Sequence, residues 1–360
     1  MTIPNHDALP EQPIGLAILG LGKWSHQLGR AIRRSSRVRL LTCYTRTAQK
    51  REEYATTFGC SCAGSLQEVF ETPGLQAAII CTPAYAHTEF AYPCADHGLH
   101  LLIEKPMALS LPGALELAST CEDNGVVLMI GHEMRRLGSM RAAKQLLENG
   151  ALGQVVSASA SMTLGGRFTP DNWRCHRDTN RGGALLQLGI HAIENLNYLL
   201  GRPVAVRGSF ANAVAPGDVD DVGSAIVSYE NGVEAVISAN YVSPSSQRMS
   251  LFGMKANLHL VADMRVWPDA AAVDEQTQLL LEDGVERREI AIRPHDVLLE
   301  QVDDFAASIV DGTSPETGAK EGVQALAVVE AALQSVAEGR AVDPQQLVEE
   351  LQAKGSAHES

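Results

Sequence analysis

The sequence predicts an α/β protein with two domains: an N-terminal doubly wound parallel sheet and a C-terminal α+β domain with an open, mostly antiparallel sheet. Three observations support this fold class. The chain has 360 residues, which exceeds the size at which a single hydrophobic core usually stops growing. Short apolar runs alternate with helical patterns through residue 130. Beyond residue 150, this alternation gives way to longer apolar runs separated by turns.

In the N-terminal domain, predicted over residues 14–135, strands and helices follow one another at the spacing of crossover units. Two parallel strands need a crossover connection, and a helix that returns over a face of the sheet supplies it. The predicted strands are 14–19, 38–44, 77–81, 100–103 and 126–130, and the predicted helices are 26–32, 47–58, 89–97 and 112–124.

The C-terminal domain is predicted over residues 136–345, with flexible ends at residues 1–13 and 346–360. Asn231-Gly232 lies between two apolar runs and indicates a hairpin, because this dipeptide adopts the positive φ angles of a tight primed turn. The predicted strands are 155–164, 204–214, 223–229, 233–241 and 249–261, and the predicted helices are 140–148, 295–311 and 318–338.

Composition limits the classes of function. A net charge of −14 would repel a phosphate backbone, and no apolar run is long enough to span a membrane, so a small-molecule substrate is the expected partner. The first residues lack the basic start and apolar stretch of a secretory signal, which favours the cytoplasm. Seven cysteines, an odd number, favour reduced thiols, and the spacing Cys60-Ser61-Cys62 does not predict a metal site.

A glycine-rich turn follows the first predicted strand and precedes the first predicted helix. It contains Gly20, Gly22, Lys23 and Trp24, with Ser25 where a third glycine is typical. The backbone amides of such a turn bind a pyrophosphate at the positive end of the helix. Taken alone the pattern also fits a plain tight turn, but its position favours a dinucleotide-binding, Rossmann-type unit.

The end of the second predicted strand indicates which dinucleotide is bound. An acidic residue normally accepts hydrogen bonds from the ribose of NAD here, but this chain has Thr45 and Arg46. Arg46 offers a planar guanidinium that can pair with a 2′-phosphate, so NADP is favoured over NAD. The alternative is that Arg46 faces solvent or stacks on adenine.

Polar residues follow the third and fourth predicted strands, at the carboxyl edge of the sheet where ligands bind in open parallel sheets. Thr82, Pro83 and His87 follow the third strand, and Glu104 and Lys105 end the fourth. A lysine at the end of a buried strand is costly unless its ammonium group has a partner or a function. Glu104 is a candidate partner, and Lys105 is a candidate catalytic residue.

A second candidate site lies on a predicted helix that begins after Gly182-Gly183. Gln187 and His191 are four residues apart and share a helix face. A single helix histidine is more often structural than catalytic, so the pattern alone leaves both possibilities open.

The polar stretch before this helix contains Trp173, Arg174 and His176, with Arg177 beside them, which are candidates to line a substrate pocket. Asn172 is a further candidate. The alternative for the stretch is a surface loop with one buried tryptophan. Arg135 and Arg136 could contact cofactor phosphate, an acidic substrate or bulk water.

These motifs together resemble the glucose-fructose oxidoreductase / inositol dehydrogenase / MocA-like family over nearly the whole chain, and Glu104-Lys105-Pro106 is the most specific of them. The resemblance implies a Rossmann domain and an open-sheet domain often used for self-association, with the active site in the cleft between them. It implies that Lys105 contacts the substrate oxygen and the nicotinamide ribose, and that His191 is the acid/base. The family usually has an aspartate where this chain has Gln187, and Glu194 is a candidate source of the missing charge.

The expected function is therefore hydride transfer between a nicotinamide cofactor, with NADP favoured, and a secondary alcohol or carbonyl of a sugar, polyol or related hydroxylated ring. The cofactor performs the redox chemistry, while Lys105 and His191 handle the hydroxyl proton and the developing oxyanion. A homo-oligomer, a dimer or a tetramer, is expected through the C-terminal sheet. The alternatives are a glycosidase that uses the cofactor transiently and a non-catalytic dinucleotide-binding regulator.

Overall fold

A computed structural model describes residues 12–166, 168–264 and 272–358, which form two compact units. Of the described residues, 12–108, 113–131 and 297–322 belong to the first unit, and the rest belong to the second. No helix in these ranges is long and apolar enough to cross a membrane.

The first unit contains a six-stranded parallel sheet with the order β3-β2-β1-β4-β5-β6. The order reverses between β1 and β4, so the crevice at the carboxyl ends of these two strands is the topological switch point at which such sheets bind ligands. The strands are β1 Ile14–Leu19, β2 Val38–Tyr44, β3 Ser61–Cys62, β4 Ala77–Ile80, β5 His100–Glu104 and β6 Leu128–Gly131, and the helices are α1 Lys23–Arg34, α2 Ala48–Phe58, α3 Leu66–Phe70, α4 His87–Asp96 and α5 Leu111–Asp123.

This sheet confirms the doubly wound fold. Every residue of β1, β4 and β6 is buried, as expected when helices cover both faces of a parallel sheet. The five predicted strands are all present, and the prediction missed only the two-residue β3 and the short α3, which are too short to show a period.

A C-terminal segment belongs to the first unit, which corrects the predicted domain boundaries. Helix α8, Val297–Asp311, lies beside α1, and the Ser35 hydroxyl donates to Asp303 Oδ1 at 2.5 Å. Further on, the Thr317 hydroxyl donates to the carbonyl oxygen of Ile130 at 2.7 Å. The sequence assigned residues 297–322 to the second domain because hydrophobic periodicity identifies a helix but not the sheet against which it packs.

The second unit contains an eight-stranded sheet with the order β14-β13-β12-β11-β7-β10-β9-β8, in which only the β7–β10 pair is parallel. The predicted open, mostly antiparallel sheet is therefore confirmed. The strands are β7 Val155–Thr163, β8 Pro203–Ala211, β9 Val222–Tyr229, β10 Glu234–Asn240, β11 Ser246–Gly253, β12 Asn257–Ala262, β13 Thr277–Glu282 and β14 Arg287–Glu289, and the remaining helices are α6 Gly138–Glu148, α7 Ile190–Leu200, α9 Ala319–Glu338 and α10 Pro344–His358.

The hairpin predicted at Asn231-Gly232 joins β9 and β10, but its turn differs from the prediction. The Gly232 amide donates to Tyr229 O at 2.9 Å, and the Tyr229 amide donates to Val233 O at 2.9 Å. Gly232 has a φ of 85°, whereas Asn231 has no positive φ. The connection is therefore a three-residue loop that needs one left-handed glycine, rather than a primed two-residue turn.

Two other predictions in this unit were wrong. The single strand predicted over 249–261 is the β11–β12 hairpin, in which the Gly253 amide donates to Ala256 O at 3.1 Å. The flexible end predicted from residue 346 is helix α10, because Asp343 accepts from the Gln345 amide at 2.8 Å and Pro344 fits the first helical position. Strands β13 and β14 were not predicted. The flexible N-terminus predicted over residues 1–13 lies largely outside the described residues.

Candidate active site

The glycine turn after β1 lies at the switch point. Gly20 has a φ of +89°, and a Cβ atom on it would lie 2.6 Å from the Thr82 amide nitrogen, so only glycine fits between β1 and the end of β4. Gly22 is the N-cap of α1, and a Cβ atom there would have no heavy atom within 4 Å. The first turn of α1 contains no acidic side chain, which leaves its positive end available to an anion.

Ser25, in the place of the third glycine, is fully buried and points inward. Its hydroxyl donates to Gly22 O at 2.7 Å, and its own carbonyl oxygen accepts from the Tyr54 hydroxyl at 2.8 Å. Ser25 therefore holds the loop in shape from its buried side, and the space around Gly22 stays open. The sequence alone did not reveal the Tyr54 contact, which joins residues 29 positions apart.

Glu104, at the end of β5, is buried beneath this loop. The Trp24 indole N–H donates to Glu104 Oε1 at 2.5 Å, and a Cβ atom on Gly131 of β6 would lie 2.8 Å from the same oxygen. Burial raises the pKa of Glu104 to about 7, although the nearby Lys105 charge and the Trp24 hydrogen bond lower it. Through its hydrogen bond with Trp24, Glu104 thus connects the glycine turn to the end of β5. Lys105, the next residue, is half-buried.

The contacts of Glu104 with Trp24 and Gly131 were not predicted from the sequence. The sequence predicted Trp24 as a cofactor-binding residue, and the structure places its indole nitrogen on Glu104. Gly131 was not singled out, although a glycine that ends the neighbouring strand is a sign of close approach.

His87 contacts both loops at this edge of the sheet. Its side chain is 1% exposed, with Nδ1 2.8 Å from Pro106 O and Nε2 2.9 Å from Thr82 O. Burial lowers the pKa of His87 to about 4, against the effect of these carbonyl groups. The His87 side chain thus holds the Thr82-Pro83 segment and the Lys105-Pro106 segment together, and its role in cofactor binding stays a prediction.

The residues of this edge fit a dinucleotide. Among the residues that the structure describes, the buried Thr82 hydroxyl has no hydrogen-bond partner, and Gly22 leaves open space above the positive end of α1. An acceptor or donor on a bound cofactor would satisfy Thr82, and a pyrophosphate fits above Gly22. Lys23, on the same turn, is exposed.

Arg46, the predicted 2′-phosphate ligand, is exposed and forms an ion pair. Its Nη2 donates to Glu89 Oε1 at 2.7 Å and to Glu89 Oε2 at 3.0 Å, and both side chains are more than half exposed. The Thr45 carbonyl oxygen accepts from Arg51 Nη1 at 2.7 Å, which orders the backbone of this loop. A carboxylate beside Arg46 was not considered from the sequence, because Glu89 lies 43 residues away on α4.

The predicted acid/base, His191, lies in the second unit. A π-helical turn at Leu185–Gly189 contains Gln187 and precedes α7, and both polar side chains are less than 10% exposed. The sequence predicted a regular helix, in which residues four apart share a face. The wider turn shifts that register, and such turns occur frequently at functional sites.

Glu194, the residue that the sequence offered as a source of charge for His191, forms an ion pair with Arg135. Arg135 Nε donates to Glu194 Oε1 at 2.6 Å, and Arg135 Nη2 donates to the same oxygen. The pair is almost fully buried, and the Arg135 guanidinium lies 4.9 Å from the centre of the Tyr198 ring. The partner of Arg135 is thus a carboxylate of this chain, which was not among the alternatives that the sequence left open for Arg135.

The predicted substrate residues Trp173, Arg174 and His176 surround a short 3-10 turn. The Arg174 guanidinium lies 4.3 Å from the centre of the Trp173 ring, and burial lowers the pKa of Arg174. Asn172 accepts from the Arg174 amide at 3.0 Å, and His176 is exposed. Trp173 is half-buried, and the assignment of this segment to a substrate pocket stays a prediction. Arg177 is held by the backbone oxygen of Asp218.

The structure therefore brings the predicted residues together in two groups. In the first unit, contacts connect the glycine turn, the Thr82-Pro83 segment and the end of β5. In the second unit, Gln187 and His191 share the π-helical turn and the start of α7, and Trp173 and Arg174 stack on each other.

Comparisons with known proteins agree with this arrangement. Residues 14–132 match the model of the oxidoreductase family with an NAD-binding Rossmann fold, and residues 140–259 match the GFO/IDH/MocA C-terminal domain. The crystal structure of a protein from Desulfitobacterium hafniense assigned as an NADPH-dependent oxidoreductase has a TM-score of 0.90 and 30% identity, and covers 94% of this chain and 100% of that chain.

Two characterised relatives differ in their reactions. D-xylose 1-dehydrogenase (NADP+) 2 of Haloferax volcanii is 28% identical over 78% of this chain and 84% of its own length. The 2,7-anhydro-N-acetylneuraminate hydratase of Mediterraneibacter gnavus is 28% identical over 58% of this chain and 56% of its own length. The chain thus has the NAD(P)-binding Rossmann domain and the partner domain of one family, and it belongs to the GFO/IDH/MocA oxidoreductases.

Proposed function

We propose that this oxidoreductase interconverts a secondary alcohol and a carbonyl group on a sugar or polyol, with NADP(H) as the preferred cofactor. The observation that carries the proposal is the meeting of the open Gly22 turn, the unsatisfied Thr82 hydroxyl and the Glu104-Lys105 strand end at one switch point. The D-xylose 1-dehydrogenase relative, an NADP+ enzyme, supports both the substrate class and the cofactor.

The chain's own residues have distinct roles in this proposal. The amides of the Gly20–Gly22 turn and the start of α1 bind the pyrophosphate, and Thr82 and Lys105 hold the nicotinamide end. The bound nicotinamide supplies a hydride acceptor. Lys105 donates a hydrogen bond to the substrate oxygen and stabilises developing negative charge there, while His191 takes the hydroxyl proton during oxidation and returns it during reduction.

Gln187, where the family usually has an aspartate, can orient a substrate hydroxyl but cannot raise the basicity of the neighbouring imidazole through charge. Glu194, one turn beyond His191, already has a cationic partner in Arg135. Trp173, Arg174 and His176 are proposed to line the sugar site, with the stacked Trp173–Arg174 pair presenting an apolar ring and a cation to a hydroxylated substrate.

The test is a screen of aldoses, polyols and ketosugars with NADP and NAD, followed by two variants on the best substrate. Lys105→Ala and His191→Ala are expected to lower kcat by about 10²- to 10⁴-fold through the loss of acid–base catalysis, with cofactor affinity nearly unchanged. Lys320→Ala, which removes an exposed lysine on α9, is the matched control. Wild-type turnover in both catalytic variants would contradict the assigned roles.

One relative favours a second candidate function. The hydratase of Mediterraneibacter gnavus has a name that denotes addition of water, a reaction without net oxidation. If this chain catalyses a related elimination or hydration at a glycosidic or ether bond, substrate is consumed without net change in NAD(P)H. A dehydrogenase instead forms one NAD(P)H for each alcohol oxidised, so absorbance and product analysis distinguish the two.

A homo-oligomer and a cytoplasmic location are also proposed. Ile226 on β9 and Val236 on β10 are directly paired and about half exposed, which gives the eight-stranded sheet an apolar contact for a second copy. All seven cysteines are free thiols, in keeping with a reducing compartment. Light scattering of the purified protein checks the assembly, and a monomer at micromolar concentration would contradict it.

A further inference from the structure

Three cysteines of the first unit lie close together, although the sequence shows only two of them as neighbours. Cys43 and Cys62 are directly opposed on the parallel strands β2 and β3. Alternate residues of an extended chain share one face, so Cys60 and Cys62 project to the same side as Cys43. Among the described residues, no group suited to a metal ion is found.

Within this cluster, the Cys43 and Cys60 thiols affect each other's pKa. The two thiols form a side-chain hydrogen bond, which lowers the pKa of Cys60 and, together with burial, raises the pKa of Cys43. Cys43 is buried, whereas Cys60 is partly exposed in the connection between α2 and β3. A partly exposed thiol with a lowered pKa beside a buried second thiol is the arrangement of an oxidant-sensitive cysteine with its resolving partner.

The pair is connected to the loop that the proposed function assigns to the cofactor. The Cys43 thiol lies 3.6 Å from the carbonyl oxygen of Arg51. The Arg51 guanidinium in turn donates to Thr45 O at 2.7 Å and to Arg46 O at 3.2 Å. A covalent bond to Cys43 would therefore act on the residue that orders the Thr45-Arg46 backbone.

We propose that Cys43 and Cys60 are a reversible dithiol–disulfide pair, oxidised by a hydroperoxide, and that the disulfide weakens cofactor binding at the adjoining Thr45-Arg46 loop. The second part rests on the proposed function of that loop. The first part depends only on the thiols.

The chemistry balances in two steps. The Cys60 thiolate attacks one oxygen of the hydroperoxide, the O–O bond breaks, and the leaving oxygen takes a proton to become an alcohol or water. Cys60 is then a sulfenic acid, oxidised by two electrons. The Cys43 sulfur loses its proton and attacks the Cys60 sulfur, the S–O bond breaks, and the hydroxyl leaves as water. Two thiols and one hydroperoxide thus give one disulfide, one alcohol (or water) and one water, and an external thiol reverses the change.

The test begins with the full-length reduced protein treated with hydrogen peroxide. Peptide mapping by mass spectrometry is expected to find the Cys43–Cys60 link, with the loss of two hydrogen atoms, and dithiothreitol should remove it. Cys60→Ser should abolish the link. Cys43→Ser should leave Cys60 as a sulfenic acid that dimedone traps. Cys121→Ser is the matched control, because burial raises the pKa of Cys121 to about 12 and it lies outside the cluster.

No link in the wild type, or a link that joins Cys60 to Cys62 instead, would overturn the assignment of the pair. Because Cys60 is partly exposed, Cys60→Ser keeps the test decisive even if the buried Cys43→Ser variant fails to fold.

Binding of NADPH, followed by nicotinamide fluorescence, tests the second part. Oxidation should weaken binding by about tenfold in the wild type and leave Cys60→Ser unchanged. Equal affinity of the oxidised and reduced wild type would refute the coupling. If the reduced wild type did not bind NADPH at all, the proposed function would fail while the disulfide readout remained valid.

Discussion

Glu104 shows how the surroundings of one residue create its chemistry. In the sequence it is only the first residue of Glu104-Lys105-Pro106. In the structure it is buried between the Trp24 indole and the Gly131 backbone, and burial raises its pKa to about 7. Trp24 follows β1 and Gly131 ends β6, and both are far from Glu104 along the chain, which is why sequence patterns alone could not predict this environment.

Glu104 should make stability depend on pH. Between its ordinary pKa of 4.5 and about 7, the folded protein holds a proton that the unfolded chain has released, so the free energy of unfolding falls as pH rises through this window and levels off above it. Relative to Glu104→Gln, the wild type should lose on the order of 2–3 kcal/mol between pH 4.5 and 8. Denaturant unfolding at a series of pH values measures this difference.

The exposed Glu122→Gln variant is the control for this experiment, and it should follow the wild type at every pH. If Glu104→Gln and the wild type showed the same pH dependence, the raised pKa of Glu104 would be wrong.

The Arg46–Glu89 ion pair should determine how strongly the enzyme prefers NADP over NAD. The Glu89 carboxylate occupies the Arg46 guanidinium and would repel a 2′-phosphate. We therefore expect Glu89→Gln to raise the ratio of kcat/KM for NADP over NAD, and Arg46→Ala to lower it, each by roughly tenfold, since a hydrogen bond to a charged group contributes about 1.5–3 kcal/mol.

Glu52→Gln, an exposed carboxylate on α2, is the charge-matched control and should leave the ratio unchanged. A higher NADP preference in Arg46→Ala than in the wild type would exclude Arg46 as a 2′-phosphate ligand.

At the scale of elements, the strands and helices with a clear hydrophobic period were predicted well, because burial imposes that period directly. No comparable signal indicates the π-helical turn at Leu185–Gly189 or the break between β11 and β12. The first depends on how α7 packs, and the second lies inside a continuous apolar run. Helix α10 was missed although Asp343-Pro344 is a recognisable helix start.

The glycine turn offers a prediction that separates folding from binding. Gly20→Ala forces a side chain into a positive φ and against the Thr82 backbone, so it should destabilise the protein by about 1–3 kcal/mol. Gly22→Ala meets no protein atom, so it should lower stability by at most about 1 kcal/mol, the cost of alanine at a helix N-cap, while its KM for NADP rises at least about tenfold.

Thermal unfolding and steady-state kinetics of the two variants test this pair of expectations. An unchanged KM in Gly22→Ala would mean that the pyrophosphate does not bind above this residue.

At the scale of the whole molecule, residues 297–322, late in the chain, belong to the first unit. Val302, Phe305 and Ala306 of α8 are completely buried, and Thr317 bonds to β6. The sequence could predict that α8 is an amphipathic helix, but the unit to which it belongs is set by contacts across more than 260 residues, such as Ser35 with Asp303.

A fragment of residues 1–135, cut at the boundary that the sequence predicts, should therefore lack a cooperative unfolding transition, because it exposes the surface that α8 covers. Fusing residues 297–322 to that fragment through a flexible linker should restore the transition. Circular dichroism with heating measures both, and the full chain is the control. A fragment of residues 1–135 that unfolds as sharply as the full chain would show that α8 is dispensable.

For the same reason, only part of the candidate site could be predicted from the sequence. Lys105 and the glycine turn could be located because they end strands, and strand ends are visible in a sequence. Other contacts of the candidate site join residues that lie far apart along the chain, so they required the fold. They are Tyr54 with Ser25, Glu89 with Arg46, Arg135 with Glu194 and Gly131 with Glu104. Whether Lys105 and His191 act on one substrate stays a prediction.

The most direct test of the central claim is the transfer of deuterium from substrate to cofactor. The best alcohol from the substrate screen, carrying deuterium on its carbinol carbon, is incubated with the enzyme and NADP, and the reduced cofactor is analysed by mass spectrometry. The proposed dehydrogenase should form one NADPH per carbonyl product, with the deuterium at nicotinamide C4, and Lys105→Ala should slow this by about 10²-fold or more. Substrate consumed with no deuterium accumulating in the cofactor pool would contradict it.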